Sequence, residues 1–340
     1  MKKIDPGNRL PDNELGKTFL EKYKIAISEV HKEVLELDGV IEQVYIAMFA
    51  DGHIILDGEP GVGKTLVVNT IARTVNAQRG RIQFSPETLP SDLYYTIGSF
   101  DEKGEGKTLK EVRLAPGPLF TQILIGDEIN RANPRIHAAL LEPLEEKQIT
   151  LEGKTTSLGN FYFFASTQNP VESAESTSEL PEALRERLLL MIHVPYPSEE
   201  LLRKIAVHDT RKKDIIPVLS VEDIVKIQNS ILEQYVLNCS KDDPVIRYIQ
   251  RLISAIHENY AVKWGPGIRA AQDLTRASAV HAFLYGLEHI SFEDVQAMIH
   301  PALRFKFLRD ARKSRELGIR SNDEILSQVL KQVLIVAEGS

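Results

Sequence analysis

The sequence predicts an α/β domain followed by a helical one, and three observations carry this. The stretch Gly58-Glu59-Pro60-Gly61-Val62-Gly63-Lys64-Thr65 reads G-x-x-x-x-G-K-T, and it lies between an apolar, β-branched run (His53 to Asp57) and an apolar-periodic run (Leu66 to Val75). Four further short runs of strand character follow, the last at Leu190 to Val194. Beyond Pro195-Tyr196-Pro197-Ser198 nothing strand-like is strong, and apolar residues recur at helical spacing.

Bulk properties bound the answer. The 340 residues suggest two domains at ~150 residues each. Hydrophobic content of 43% and charged content of 26% are those of a globular protein. A net charge of −7 argues against a dedicated nucleic-acid surface. Cys239 is the only cysteine, which excludes an intrachain disulfide and a cysteine-rich zinc site. The first residues lack the apolar core of a signal peptide and no long apolar run occurs, so a cytoplasmic protein without a membrane span is expected.

Taken in order, residues 1–13 form a loose arm carrying Pro6, Gly7 and Pro11. Leu15 to Leu37 reads as an amphipathic helix through Phe19, Leu20, Tyr23, Ile27, Val30, Val34 and Leu35, and Val40 to Phe49 as a second. Arg81 to Phe84 is a candidate second strand. Residues 91–118 read as an insertion, with Tyr94–Ile97 and Leu109–Leu114 flanking the turn-rich segment 101–106, which favours a β-hairpin. Ile123 to Glu128 reads as a buried strand ending in two carboxylates, Asp127 and Glu128. Arg135 to Lys147 is a helix in which Pro143 should cause a kink or early end. Residues 148–160 read as a second small hairpin around Glu152-Gly153. Phe161 to Ala165 is a fourth strand with Thr167-Gln168-Asn169-Pro170 as its exit, and Leu190 to Val194 a fifth. Later helices span 199–208, 221–233, 244–260, 269–285, 292–308 and 322–336, and Ser291-Phe-Glu-Asp294 gives one of them a capping-box-like start.

The chemistry begins at the glycine-rich stretch. Glycines allow a tight turn that aims successive N–H groups at phosphate, and a helix N-terminus adds unpaired donors and partial positive charge. Gly58, Glu59, Pro60, Gly61, Val62, Gly63, Lys64, Thr65 and Leu66 are the candidate nucleotide-binding residues. Lys64 supplies a point charge for the β/γ phosphates and Thr65 an oxygen for Mg²⁺. A phosphate-binding loop needs a partner carboxylate for the metal, and Asp127 is placed for it. Glu128 can orient or deprotonate the attacking water. The Asn-Lys-x-Asp pattern of guanine readers is absent.

At this point the chain resembles the MoxR group of AAA+ ATPases. The resemblance rests on Gly58 to Thr65, Asp127-Glu128-Ile129-Asn130-Arg131-Ala132, Ala139-Leu140-Leu141-Glu142, Ala165 to Pro170, Leu180-Pro181-Glu182-Ala183 and Gly265-Pro266-Gly267-Ile268-Arg269, across about Asp38 to Ser278. It implies a five-stranded parallel sheet flanked by helices, an all-α lid, ATP with Mg²⁺, and a ring, commonly a hexamer. It identifies the two hairpins as the helix-2 and pre-sensor-1 insertions. The implied division is an arm and helix at 1–36, an ATP-binding domain at 37–196 and a lid at 197–340.

Residue roles follow from the same resemblance. Asn169 matches sensor 1, and Arg269 matches sensor 2, although Gly267-Ile268 stands where the family usually has Ser-Pro. Arg187 matches the arginine finger offered to a neighbouring subunit. Glu186 and Leu188 replace the usual Asp and Phe, and Arg185 is an extra arginine that is the alternative finger. Arg131 is either an interface group or a local salt bridge. Glu128, Lys64, Asn169, Arg187 and Arg269 are thus the candidate catalytic residues, with Thr65 and Asp127 for the metal. The implied function is ATP-driven, chaperone-like remodelling of protein clients linked to von Willebrand factor A domain proteins. The rival is a nucleic-acid-acting AAA+ motor or helicase loader. That rival calls for basic hairpin tips, and the tip at 101–106 is net acidic. A third reading, a nucleotide-gated scaffold without hydrolysis, is opposed by Glu128. The nine histidines show no metal-ligand spacing, and His53 is read as structural.

Overall fold

The computed structural model describes residues 14–104, 107–169, 179–208 and 213–338. The N-terminal arm, part of the first hairpin's tip (105–106) and Pro170 lie outside the described residues. The N-terminal part of the chain runs α1 (Glu14–Val30), α2 (Asp38–Phe49), β1 (Ile54–Asp57), α3 (Lys64–Arg73), β2 (Arg79–Gln83), β3 (Tyr95–Gly104), β4 (Lys107–Pro116), β5 (Ile123–Asp127), α4 (Pro134–Glu146), β6 (Gln148–Leu151), β7 (Lys154–Ser157), β8 (Phe163–Gln168) and β9 (Leu190–His193). The C-terminal part is helical: α5 (Glu199–Ala206), α6 (Val221–Ile231), α7 (Pro244–Glu258), α8 (Ile268–Leu284), α9 (Phe292–Leu303) and α10 (Asn322–Glu338).

Five strands form one sheet in the order β9-β1-β8-β5-β2, and every pairing is parallel. The alternation of side chains explains why these strands are apolar throughout. Ile54, Leu56, Ile123, Ile125, Phe163, Ala165, Leu190 and Ile192 join the core on one face, beneath α1, α2 and α3. Ile55, Leu124, Phe164 and Ile82 join the core on the other, beneath α4. A parallel sheet covered on both faces needs this pattern. On the first face Phe19, Tyr23, Tyr45 and Phe49 interlock, with ring centroids 4.9 to 5.9 Å apart in the Phe19–Phe49, Tyr23–Tyr45, Tyr45–Phe49 and Tyr23–Phe49 pairs.

Both expected hairpins are present. In β3–β4 the ladder runs out to Gly104 opposite Lys107, so most of the segment taken for a turn is strand. In β6–β7 Glu152 and Gly153 both have positive φ (50° and 78°), the backbone of a two-residue type I′ turn. Helix α4 continues past Pro143 to Glu146. The proline sits in the last turn, and the helix ends at Lys147, whose φ is 50°. Strand β8 starts two residues later than expected and extends to Gln168, because Thr167 and Gln168 pair with Leu56 and Asp57 of β1.

In the helical part, Ser220 and Ser291 each close a capping box with an aspartate three residues on. Two short ladders interrupt the helices: Val262–Trp264 pairs with Leu308–Arg309, and Leu219–Ser220 pairs with Val75–Asn76 of the first domain. Helix α9 packs on β9 at the sheet edge, and α6 on α1 and α2. Among the described residues no helix is long and apolar enough to cross a membrane.

Candidate nucleotide site

Strand β1 is hydrogen-bonded on both sides, so the turn that follows Asp57 leaves from the middle of the sheet. Gly58 has φ 155°, and a Cβ there would lie 2.6 Å from the Val194 carbonyl oxygen, so the site needs both the rare backbone and the missing side chain. Gly63 has φ 94° in open space; there the backbone sign alone asks for glycine. Helix α3 begins at Lys64, two residues earlier than the apolar periodicity suggests.

Lys64 is buried, and its ammonium donates to the carbonyls of Gly58 (2.5 Å) and Glu59 (2.8 Å) and to Oδ1 of Asn169 (2.9 Å). Burial lowers its pKa, while Asp57 and Glu128 act in the opposite direction. The Thr65 hydroxyl donates to Oδ1 of Asp127 at 2.6 Å. Asp127 is 3% exposed, and its Oδ2 accepts from Nε of Arg81 at 2.7 Å. Thr65 and Asp127 thus place two hard oxygen groups side by side, the donor type that Mg²⁺ prefers. The glycine turn, the α3 N-terminus and the Lys64 ammonium suit a polyphosphate beside it. These groups line a cleft of about 330 Å³ with Pro60, Arg81, Gln83, Glu128, Thr167 and Asn169.

Glu128 follows Asp127 in the left-handed backbone region, at φ 59° and ψ 51°, which costs an ordinary residue ~1–3 kcal/mol. Its backbone N–H donates to the Thr167 hydroxyl at 3.1 Å. Its carboxylate accepts from Arg131 at 2.8 Å and from Nδ2 of Asn169 at 3.3 Å. Arg131 therefore makes the local ion pair. Asn169 bridges Lys64 and Glu128, and its own carbonyl accepts from Asn130 at 2.9 Å. One amide thus links the Lys64 ammonium to the Glu128 carboxylate across the cleft.

Arg187 and Arg269 stand apart from this cleft. Each donates through Nη2 to the same carboxylate, Glu145 of α4, Arg187 to Oε2 and Arg269 to Oε1. The cavity they share, about 750 Å³, is also lined by Asp51, Gly52 and His53, which precede β1, whereas the phosphate cleft lies past its C-terminal end. Arg185 is engaged elsewhere: its Nη1 donates to the Phe305 carbonyl at 3.3 Å.

Three groups in these clusters escaped the sequence reading. Arg81 had a signal: Arg79, Arg81 and Gln83 alternate along β2 and project to one side. Thr167 lay inside a string already singled out for Asn169. Glu145 had none, because only the fold brings α4 to both arginines.

Comparison with known proteins agrees with this architecture. Residues 53–190 match the family model of ATPases associated with various cellular activities (AAA), and residues 255–329 match the AAA lid domain. The Mycobacterium tuberculosis protein named chaperone MoxR1 is 31% identical over 83% of this chain and 74% of its own. The protein MoxR of Methylorubrum extorquens is 30% identical over 79% of this chain and 82% of its own. A crystal structure from Cytophaga hutchinsonii, described as that of a candidate ATPase, superposes with a TM-score of 0.79 at 30% identity and covers 94% of this chain and 96% of that one.

Proposed function

The chain belongs to the MoxR family of AAA+ ATPases, and from that membership we propose that it is a Mg²⁺-dependent ATP hydrolase acting as a ring-forming, chaperone-like remodeller of protein clients. The observation that carries the proposal is the convergence of Lys64, Thr65, Asp127, Glu128 and Asn169 on one cleft above a helix N-terminus.

In this reading Thr65 and Asp127 would hold the metal, which would offset the charge that develops on the phosphates. Lys64 exchanges the Gly58 and Glu59 carbonyls for phosphate oxygens. Glu128 accepts a proton from the attacking water, and Asn169 fixes the position of both Lys64 and Glu128. Arg187, which shares a cavity with Arg269, is the arginine finger, and Arg185, which bonds the Phe305 carbonyl, is the alternative. Arg269 lies beside Arg187 at the other end of β1 from its own P-loop, so both arginines are offered to a neighbouring subunit's nucleotide. A hexameric ring supplies that neighbour, and clients of the von Willebrand factor A type fit the family. The division at residues 36 and 196 into arm, ATP-binding domain and lid, and a cytoplasmic setting, belong to the same proposal.

The test uses Lys64→Ala and Glu128→Gln, measuring Mg·ATP binding and turnover. Lys64→Ala should lose ATP binding, and Glu128→Gln should bind ATP and leave it unhydrolysed. Equal ATP affinity in the wild type and Lys64→Ala would end the P-loop assignment.

A further inference from the structure

Glu145 is placed where its own helix does not favour it. It lies in the last turn of α4, facing the negative end of the helix dipole, which disfavours a carboxylate. Its position is nonetheless fixed from both sides. The preceding carbonyl, Leu144 O, is bonded to His53 Nε2 at 2.9 Å. Two residues on, Lys147 pairs with Asp51 at 2.7 Å and donates to the Asn160 carbonyl at 3.0 Å. On this anchored platform each Glu145 oxygen takes one arginine.

The two arginines come from different parts of the chain. Arg187 follows the helical turn Glu182–Arg185, and its Nη1 donates to the Ala183 carbonyl at 2.7 Å. Arg269 is the second residue of α8. The two segments nearly touch: a Cβ on Gly267 would lie 2.8 Å from Oε2 of Glu186. Two guanidinium groups so close repel, and the shared carboxylate offsets that repulsion. Glu145 engages only one nitrogen of Arg269, whose side chain is 45% exposed, so further donors of Arg269 face outward. Beside it a second open cavity is lined by Glu182, Glu186, Arg187, Ile268 and Arg269. Planar guanidinium donors held together in this way match the oxygens of a phosphate.

We infer that Glu145 is a positioning residue that holds Arg187 and Arg269 together as one clamp for the terminal phosphate of the neighbouring subunit's nucleotide. The inference rests on the reading that these arginines act across the subunit boundary. It adds that finger and lid arginine work as a unit, tied through α4.

The test measures steady-state ATP hydrolysis by the full chain carrying Glu145→Gln, Glu145→Asp or Arg187→Ala, alone and mixed with Lys64→Ala subunits, which keep the clamp and lack a working P-loop. Glu145→Gln should lower kcat ~10–100-fold with KM within a factor of ~2, and Glu145→Asp should recover part of the loss. Mixing with Lys64→Ala should restore activity to Glu145→Gln, because each working P-loop can then meet an intact clamp on its neighbour. Wild-type kcat in Glu145→Gln would overturn the inference. So would a loss in both Glu145 variants that mixing fails to restore while it restores Arg187→Ala, since Glu145 would then serve its own subunit's structure. If mixing does not restore Arg187→Ala either, the reading of arginines acting in trans fails, and this inference with it.

Discussion

Acid should weaken this fold through His53, at the junction that also carries Glu145. The imidazole is buried: its Nδ1 accepts the Phe164 N–H at 3.2 Å, and its Nε2 donates to the Leu144 carbonyl at 2.9 Å. Both bonds require the neutral ring with the proton on Nε2, and protonating Nδ1 would set N–H against N–H. Burial pushes the pKa from its ordinary 6.5 down to about 4; Lys147 and Arg276 add to this, while the Leu144 bond and Asp51 oppose it. The folded protein therefore binds fewer protons here than the unfolded chain. The stability this contributes is whole above about pH 6.5 and declines as the pH falls toward 4. The full difference is ~3 kcal/mol, and ~2 kcal/mol should already be gone at pH 5. Urea unfolding between pH 4.5 and 7.5 measures it. His53→Gln should be less stable at neutral pH yet show a flatter profile, with wild type and variant converging toward pH 4.5. Parallel profiles would refute the reasoning. They would leave the acid sensitivity to other groups such as His137, whose pKa burial also lowers.

Two further substitutions have defined outcomes. Asn169→Ala removes the amide joining Lys64 to Glu128, and kcat should fall ~10²–10³-fold while ADP affinity, read by calorimetry, stays within several-fold. Tyr162→Phe deletes a fully buried hydroxyl that has no hydrogen-bond partner among the described residues, and it should leave the urea midpoint unchanged or raise stability by up to ~1 kcal/mol.

Much of the candidate site was legible because its residues lie where the sequence places them. Gly63, Lys64 and Thr65 are contiguous, and the strand-turn-helix context that gives them meaning is local. Asp127 and Glu128 end an apolar run whose burial on both sheet faces is readable from its composition. Asn169 could be placed because strand alternation carries a short motif to the sheet's C-terminal edge. Boundaries were less legible where pairing decided them: β8 reaches Gln168 because β1 lies beside it, and β3 runs to Gly104 because β4 faces it. Pro143 suggested a kink or early end; the helix runs on to Glu146, since a proline in the last turn removes little that the end of the helix would not lose anyway. The meeting of Arg187 and Arg269 at Glu145 was not legible. Glu145 is separated from Arg269 by 124 positions, and no periodicity reports such a contact.

In the proposed function each nucleotide site is completed by a second subunit. Mixing Lys64→Ala subunits with Arg187→Ala subunits, each inactive alone, measures this most directly. ATP hydrolysis should appear on mixing and rise with total protein concentration, because Arg187→Ala subunits keep a working P-loop and Lys64→Ala subunits offer the missing arginine. Arg187→Ala turning over ATP at the wild-type rate, or mixtures as inactive as their parts, would contradict it.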